Sequence, residues 1–459
     1  MPEAALNGAP PERVAIVGGG WAGCAAAVTL AAAGIPVALL EQAKTLGGRA
    51  RRVAHADLAL DNGQHLLVGA YRQTLALLAL VHGADRAAAV FRRLPLSLRP
   101  FGGAQADAVA FSAWDAPAPL NLAGGVLSAR GLRWSERVAL IAGFRRLARA
   151  DFRCPEAQTV AQCFAQTPER ASAAIWRPLC LAALNTPPDR ASARMFAQVL
   201  RAAFTGTARN SDLLVPAIDL SACFPEAAAR FVATHGGTVR LGVGVRSVAA
   251  GAGGATLGLA AQTEAFGDVV VAVGPHQLVA TLGTEALGAD AWRIPLARVG
   301  AFAWESITTV YLALAGPLRF ALPVLRLDDR PGQWVFDRTD ALGGRDAGGA
   351  RSLVAIVISA GGPHDALDHP ALAVQVEAQL RRLAPDLPAL AWSRVFAERR
   401  ATYACTPGLP RPVPGRVAPH VYLAGDYTDT EFPATLEAAC RSGVAAARAL
   451  IADRGAPLP

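Results

Sequence analysis

The chain has 459 residues, enough for two domains and too many for one simple core. It is 53% hydrophobic and 17% charged, which excludes an extended disordered protein. The formal net charge of +8 fits an anionic partner, such as a phosphate or a membrane surface, and equally a solvated basic face.

Alanine and arginine dominate and Lys44 is the sole lysine, a coding bias that strips composition of functional meaning. The seven cysteines (Cys24, Cys154, Cys163, Cys180, Cys223, Cys405, Cys440) are odd in number and form no CxxC pair. They suggest neither a disulfide framework nor a metal site, and a reducing cytoplasm is expected. No nucleic-acid partner is expected. Residues 1–12 lack the apolar centre of a secretory leader. No run of about 18 uninterrupted apolar residues exists, so a protein that met a membrane would lie on it.

Val14-Ala-Ile-Val17 is a short apolar run that predicts a buried parallel strand. Gly18-x-Gly20-x-x-Gly23 follows at once, then an alanine-rich helix from Trp21 to Ala33 with Gly34 as its stop. Val37–Leu40 predicts a second strand, ending at Glu41. In this strand–turn–helix–strand setting each glycine has a task. Gly18 makes the tight turn, Gly20 admits a pyrophosphate to the backbone, and Gly23 lets the helix pack on the strand. Trp21 and Ala22 open the helix, whose free N–H groups face the phosphates. Glu41, 41 − 18 = 23 residues on, supplies a carboxylate for a ribose diol.

Residues 72–210 read as mostly helical, broken by Pro and Gly. Strand signals return at 238–241, 242–248 and 268–273, then at 308–314 and 353–359. Residues 421–424 predict a buried strand, followed by a helix over about 433–452. The expectation is an α/β protein. A Rossmann-like dinucleotide domain takes 12–71, 212–285 and 405–455, and an inserted mixed α+β substrate domain takes 72–211 and 286–404.

Leu46-Gly47-Gly48-Arg49-Ala50 and Ala424-Gly425-Asp426 resemble the second and third motifs of the amine oxidase and phytoene desaturase flavoproteins. The resemblance implies FAD as cofactor. Gly48 would allow close approach and Arg49 would contact phosphate. Gly425 and Asp426 would meet the ribityl chain or pyrophosphate. The following helix, opening near Thr435 and Leu436, would point at the flavin. Val245 matches the position whose backbone meets adenine.

Three further stretches narrow the resemblance: Asp57 to Tyr71, Trp176 to Thr186, and Gly425 to Glu437. They are similar to the hydroxysqualene dehydroxylase family of squalene and hopanoid synthesis. Tyr427 departs from the tryptophan expected there. This implies reductive removal of the hydroxyl of hydroxysqualene, an apolar isoprenoid, with hydride from reduced FAD. Since hydroxide leaves poorly, a proton donor is needed, and His65 is the first candidate. Gln64 and Asn185 are candidates for holding the hydroxyl. A desaturase running hydride transfer in the opposite direction, an amine or porphyrinogen oxidase, and a prenyl-binding escort protein without FAD are the rivals. Residues 132–149 set Leu132, Trp134, Val138, Ile141, Phe144 and Leu147 against five arginines, predicting a helix that docks on an anionic membrane or packs on the core.

Overall fold

Val14–Val17 is apolar on both faces because it lies inside a parallel sheet covered from both sides. The computed structural model describes residues 12–55, 57–102, 108–251, 253–282, 290–344 and 348–457. The first eleven residues, read above for a leader, lie outside these. The sheet has six strands in the order 238–241, 37–41, 14–17, 268–271, 421–423 and 415–418. The first four neighbouring pairs are parallel and the last is antiparallel. Segments from the start, middle and end of the chain thus share one sheet.

The first helix (Trp21–Ala32) and the C-terminal helix (Leu436–Asp453) lie together against this sheet. Their contact is possible because the crossing point carries no side chain. A Cβ on Gly443 would sit 2.1 Å from the Ala22 carbonyl oxygen, and one on Gly23 would sit 1.9 Å from that of Gly18. The helix Arg72–His82 joins the same buried cluster through Leu77 and Leu78, as do Val90 and Phe91. By packing, residues 72–91 therefore stand with the nucleotide half, and we place the border after them instead of at residue 71.

The second half is built on a five-stranded antiparallel sheet in the order 324–326, 334–337, 352–359, 304–314 and 390–403. Its side chains alternate with the pleat. Val310, Leu312 and Leu314 pack outward on the helix His369–Leu383, through Leu372, Val376 and Leu380. Ile307, Tyr311 and Val357 face the opposite way, toward the interior of the molecule. Four helices of eight or more residues lie between residues 120 and 204, but this stretch follows short strands at 91–94, 97–98 and 111–112 that its helical pattern did not predict.

Two expected elements differ. No strand runs over 242–246, since Gly242 turns the chain at φ +73° and the amides of Gly242 and Val243 bond to the carbonyls of Ala43 and Glu41; the next strand begins at Ser247. The final helix begins at Leu436 and not at Pro433, because Thr435 is its N-cap. Residues 132–149 form a helix over Trp134–Arg149, yet the predicted apolar face is divided. Leu132 and Leu147 are buried, Phe144 packs on Phe152 and Phe204, and Trp134 and Val138 stay exposed. Among the described residues no helix is long and apolar enough to cross a membrane.

Adding one methyl at the helix crossing tests this packing. Gly443→Ala is expected to cost about 1–3 kcal/mol, overriding alanine's better helix propensity, because the obstructing atom is backbone. Calorimetric or denaturant unfolding of the variant reads the loss directly.

Candidate active site

The end of the parallel sheet opens into one cavity of about 700 Å³ between the two halves. At one end lie Gly18, Gly20, Trp21, Ala22, Glu41, Gly48 and Val245. Gly18 takes φ +104°, and a Cβ there would strike the Ala272 carbonyl at 2.8 Å, so only glycine makes this turn. Gly20 and Gly48 face each other: a Cβ on Gly48 would come within 3.2 Å of the Gly20 Cα. Gly20 caps the first helix without any side-chain hydrogen bond, and no acidic residue stands in its first turn. The helix therefore presents unsatisfied N–H groups to an anion at the cavity wall. Gly23 does not line the cavity; it serves the packing beneath it.

Glu41 is fixed by the amides of Gly19 at 2.6 Å and Ala43 at 2.7 Å. A carboxylate has about four acceptor positions, so capacity remains for a diol. Val245 shares this end of the cavity, in irregular backbone between the strands 238–241 and 247–251. Trp21 turns its indole N–H onto the Ala50 carbonyl at 3.1 Å and so ties the helix start to the Gly47-Gly48 turn.

Arg49 and Asp426 meet across the cavity wall at 2.5 Å, and Arg49 also donates to the Ala401 carbonyl at 2.8 Å. Gly425 reaches this junction at φ +152°, where a Cβ would lie 2.3 Å from the Tyr427 ring. Thr435 accepts from the Ala438 amide at 3.1 Å as cap of the C-terminal helix, and Ala434, Thr435 and Leu436 all line the cavity. Glycine cradle, uncapped helix start, ribose-length carboxylate and second helix start together fit a flavin dinucleotide.

The stretch 57–71 runs beneath this region, and most of its polar side chains are engaged in holding it. The Asp61 carboxylate accepts from the Leu220 amide at 2.8 Å and pairs with Arg338, while burial raises its pKa to about 6 against the pull of that arginine. Asn62 bonds to the Arg51 amide and the Arg49 carbonyl. Gln64 donates to the Tyr311 hydroxyl at 2.6 Å, and Tyr311 donates to the Asp61 carbonyl at 2.9 Å.

His65 differs from these. Its Nδ1 lies 3.2 Å from the Gly63 carbonyl, which can only accept, so Nδ1 carries the hydrogen and Nε2 is left open. Burial lowers its pKa below the ordinary value of 6.5; the Gly63 carbonyl opposes this and Arg49 adds to it. His65 is thus largely neutral at pH 7.

Asn185 ends the helix Arg177–Leu184 in the left-handed region, at φ +46°. Its amide donates to the Ser306 carbonyl and Thr402 hydroxyl and accepts from the Ala360 amide. Both donors are consumed, which leaves Asn185 one acceptor position. Sequence reasoning missed Tyr311, which orients Gln64, and His276, which lines the cavity near Glu398 and meets Trp304 edge-on at 5.6 Å. It also missed the apolar wall of Leu96, Leu98, Ile307, Trp334, Phe336 and Val357. No local signal marked these residues: Leu98, Ile307, Tyr311, Trp334, Phe336 and Val357 come from four strands distant in sequence, Leu96 from the link before one of them and His276 from a short helical turn.

The sequence model of flavin containing amine oxidoreductases matches residues 21–451. Hydroxysqualene dehydroxylase of Rhodopseudomonas palustris is 28% identical over 455 residues, covering 96% of this chain and 99% of the relative. The protein of the same name from Sinorhizobium fredii is 28% identical over 442 residues, covering 95% and 98%. Among solved structures, an oxidoreductase from Methanosarcina mazei superposes with a TM-score of 0.70 at 16% identity, covering 94% of this chain and 99% of its own.

Asp426→Ala leaves Arg49 half-buried without its ion partner. FAD affinity is expected to fall at least about 10-fold, measured by fluorescence titration of the apoprotein. Retention of flavin at the wild-type level would detach this pair from the cofactor. The match over residues 21–451, on a cradle built for a flavin dinucleotide, shows that the chain belongs to the flavin containing amine oxidoreductase family, with FAD as its cofactor.

Proposed function

We propose that the chain removes the hydroxyl of hydroxysqualene to give squalene, using reduced FAD. The observation that carries this reading is convergence. The three stretches that resemble the dehydroxylase family, 57–71, 176–186 and 425–437, all contribute to the wall of one cavity. Outside these stretches Leu96, Leu98, Trp334 and Phe336 form an apolar wall, with His276 and Glu398 as polar neighbours. A long isoprenoid fits such a lining.

In this reading Gly18, Gly20 and the N-terminus of the first helix hold the pyrophosphate. Glu41 and Val245 hold the adenosine end. Arg49, Asp426 and the start of the C-terminal helix hold the remainder. Reduced FAD supplies the hydride. The substrate oxygen takes a proton and leaves as water as the allylic carbon–oxygen bond breaks, and the carbon receives the hydride. In its imidazolium form His65 delivers that proton from Nε2, the nitrogen its Gly63 contact leaves open. Gln64, held by Tyr311, and the remaining acceptor of Asn185 position the hydroxyl. The apolar wall excludes water from the cation that forms. Such a substrate resides in membranes, so the protein would work at a bilayer surface, reached from the cytoplasm.

Anaerobic incubation of the reduced holoprotein with hydroxysqualene is expected to yield squalene on lipid analysis. No squalene, together with oxidation of phytoene or squalene, would overturn the assignment in favour of a desaturase. The pH dependence carries a definite sign. Because the His65 pKa is lowered, its charged donor form fills only below pH 6.5, so single-turnover flavin oxidation accelerates toward acid. His65→Phe is expected to slow that step by about 100-fold or more and to flatten the profile. Unchanged single turnovers would remove His65 as the donor.

A further inference from the structure

The helix Leu120–Leu127 exposes Leu120, at 63%, and Leu127, and beside it Trp114 is 52% exposed. The neighbouring helix adds Trp134, 65% exposed, and Val138. These residues occupy one corner. The Trp114 ring lies where a Cβ on Gly124 would be, 2.2 Å away, and its indole N–H donates to Ser128. Arg137 bridges the two helices by donating to the carbonyls of Leu127 and Ala129.

On the second helix Trp134, Val138, Arg145 and Arg149 recur at spacings of four, seven and four, and so share one outward stripe. The stripe is apolar at its start and basic at its end. Arg130, Arg133, Arg145 and Arg149 are exposed and form no ion pair among the described residues. Glu136 of the same helix is buried on Arg170 and does not offset them.

The inner side of this corner connects to the cavity wall through two paired strands. The short helix lies on the strand Phe111–Ser112, close enough that a Cβ on Gly125 would reach the Phe111 ring at 2.6 Å. That strand pairs with Ser97–Leu98, and Leu96 and Leu98 line the cavity.

We propose that this corner docks on an anionic lipid bilayer, with Leu120, Trp134 and Val138 entering the headgroup boundary and Arg145 and Arg149 meeting lipid phosphates. Tryptophan suits that boundary through its apolar ring and polar edge, and exposed arginines supply the complementary charge. An apolar substrate leaving the bilayer would then be one β-hairpin from the cavity. This last step rests on the function proposed above, whereas the docking itself does not.

The test is vesicle co-sedimentation of the holoprotein, without substrate, on vesicles of phosphatidylglycerol with phosphatidylcholine and on phosphatidylcholine alone. The wild type is expected to bind the anionic vesicles and to be released by salt. Removing two charges in R145Q/R149Q should weaken binding about 30-fold. L120S/W134S/V138S should weaken it at least about 10-fold, with flavin content and turnover of detergent-solubilised substrate unchanged. Binding that neither variant alters, or no binding to anionic vesicles, overturns the proposal. A self-association on gel filtration that the serine variant abolishes, with no vesicle binding, assigns the corner to a second copy of the chain instead. Failure to form squalene with vesicle binding intact would sink the substrate reading and leave the docking face standing.

Discussion

Arg49 and Asp426 stand 377 residues apart in sequence and 2.5 Å apart in space. Their ion pair is half-buried, a setting in which desolvation consumes much of the Coulomb energy and leaving one partner alone costs more than the pair gains. Its consequence is geometric. Arg49 follows the turn after the second strand and Asp426 follows a strand near the end of the chain. Their meeting requires the parallel sheet to be complete, and it joins the glycine turn to the C-terminal helix. Through the Ala401 carbonyl the same guanidinium also reaches the last strand of the antiparallel sheet. One planar fork thus ties both sheets to the cavity, a task for which a lysine ammonium is poorly shaped.

Around this junction the cavity divides into two chemistries. The dinucleotide end is made of backbone, because phosphates are recognised by N–H groups and close approach needs glycine. The other end is made of side chains from short strands, one helix and the inner face of the antiparallel sheet. The polar residues between are mostly occupied with one another. Asp61, Asn62, Gln64 and Asn185 spend their hydrogen bonds on backbone groups and on Arg338, Tyr311 and Thr402, which fixes this wall of the cavity in place. His65 retains one open nitrogen because its other nitrogen faces a carbonyl.

The places where sequence pattern and structure part have identifiable causes. Residues 242–248 are valine-rich and read as strand, but Gly242 turns 242–246 over the end of the second strand, and a strand begins only at Ser247. The helix 134–149 is amphipathic by pattern, yet pattern alone does not say which neighbour it packs on. Phe152, Phe164 and Phe204 claim its inner side, and Trp134 and Val138 are left outside. His276 carried no motif; only the fold brings it beside Glu398 and Arg49, where burial lowers its pKa.

By itself the sequence determined the cofactor half: the strand–turn–helix unit, Glu41 at ribose distance, and the Gly425-Asp426 turn. These are local matters, since a positive φ, a strand period and a helix start are set by residues within a few positions of one another. Only the tertiary structure decided the apolar wall, the orientation of Gln64 by Tyr311, the open nitrogen of His65 and the exposed corner at Trp114, Leu120 and Trp134. Each depends on contacts between segments tens to hundreds of residues apart, and burial, which sets both pKa and exposure, exists only once those segments have packed.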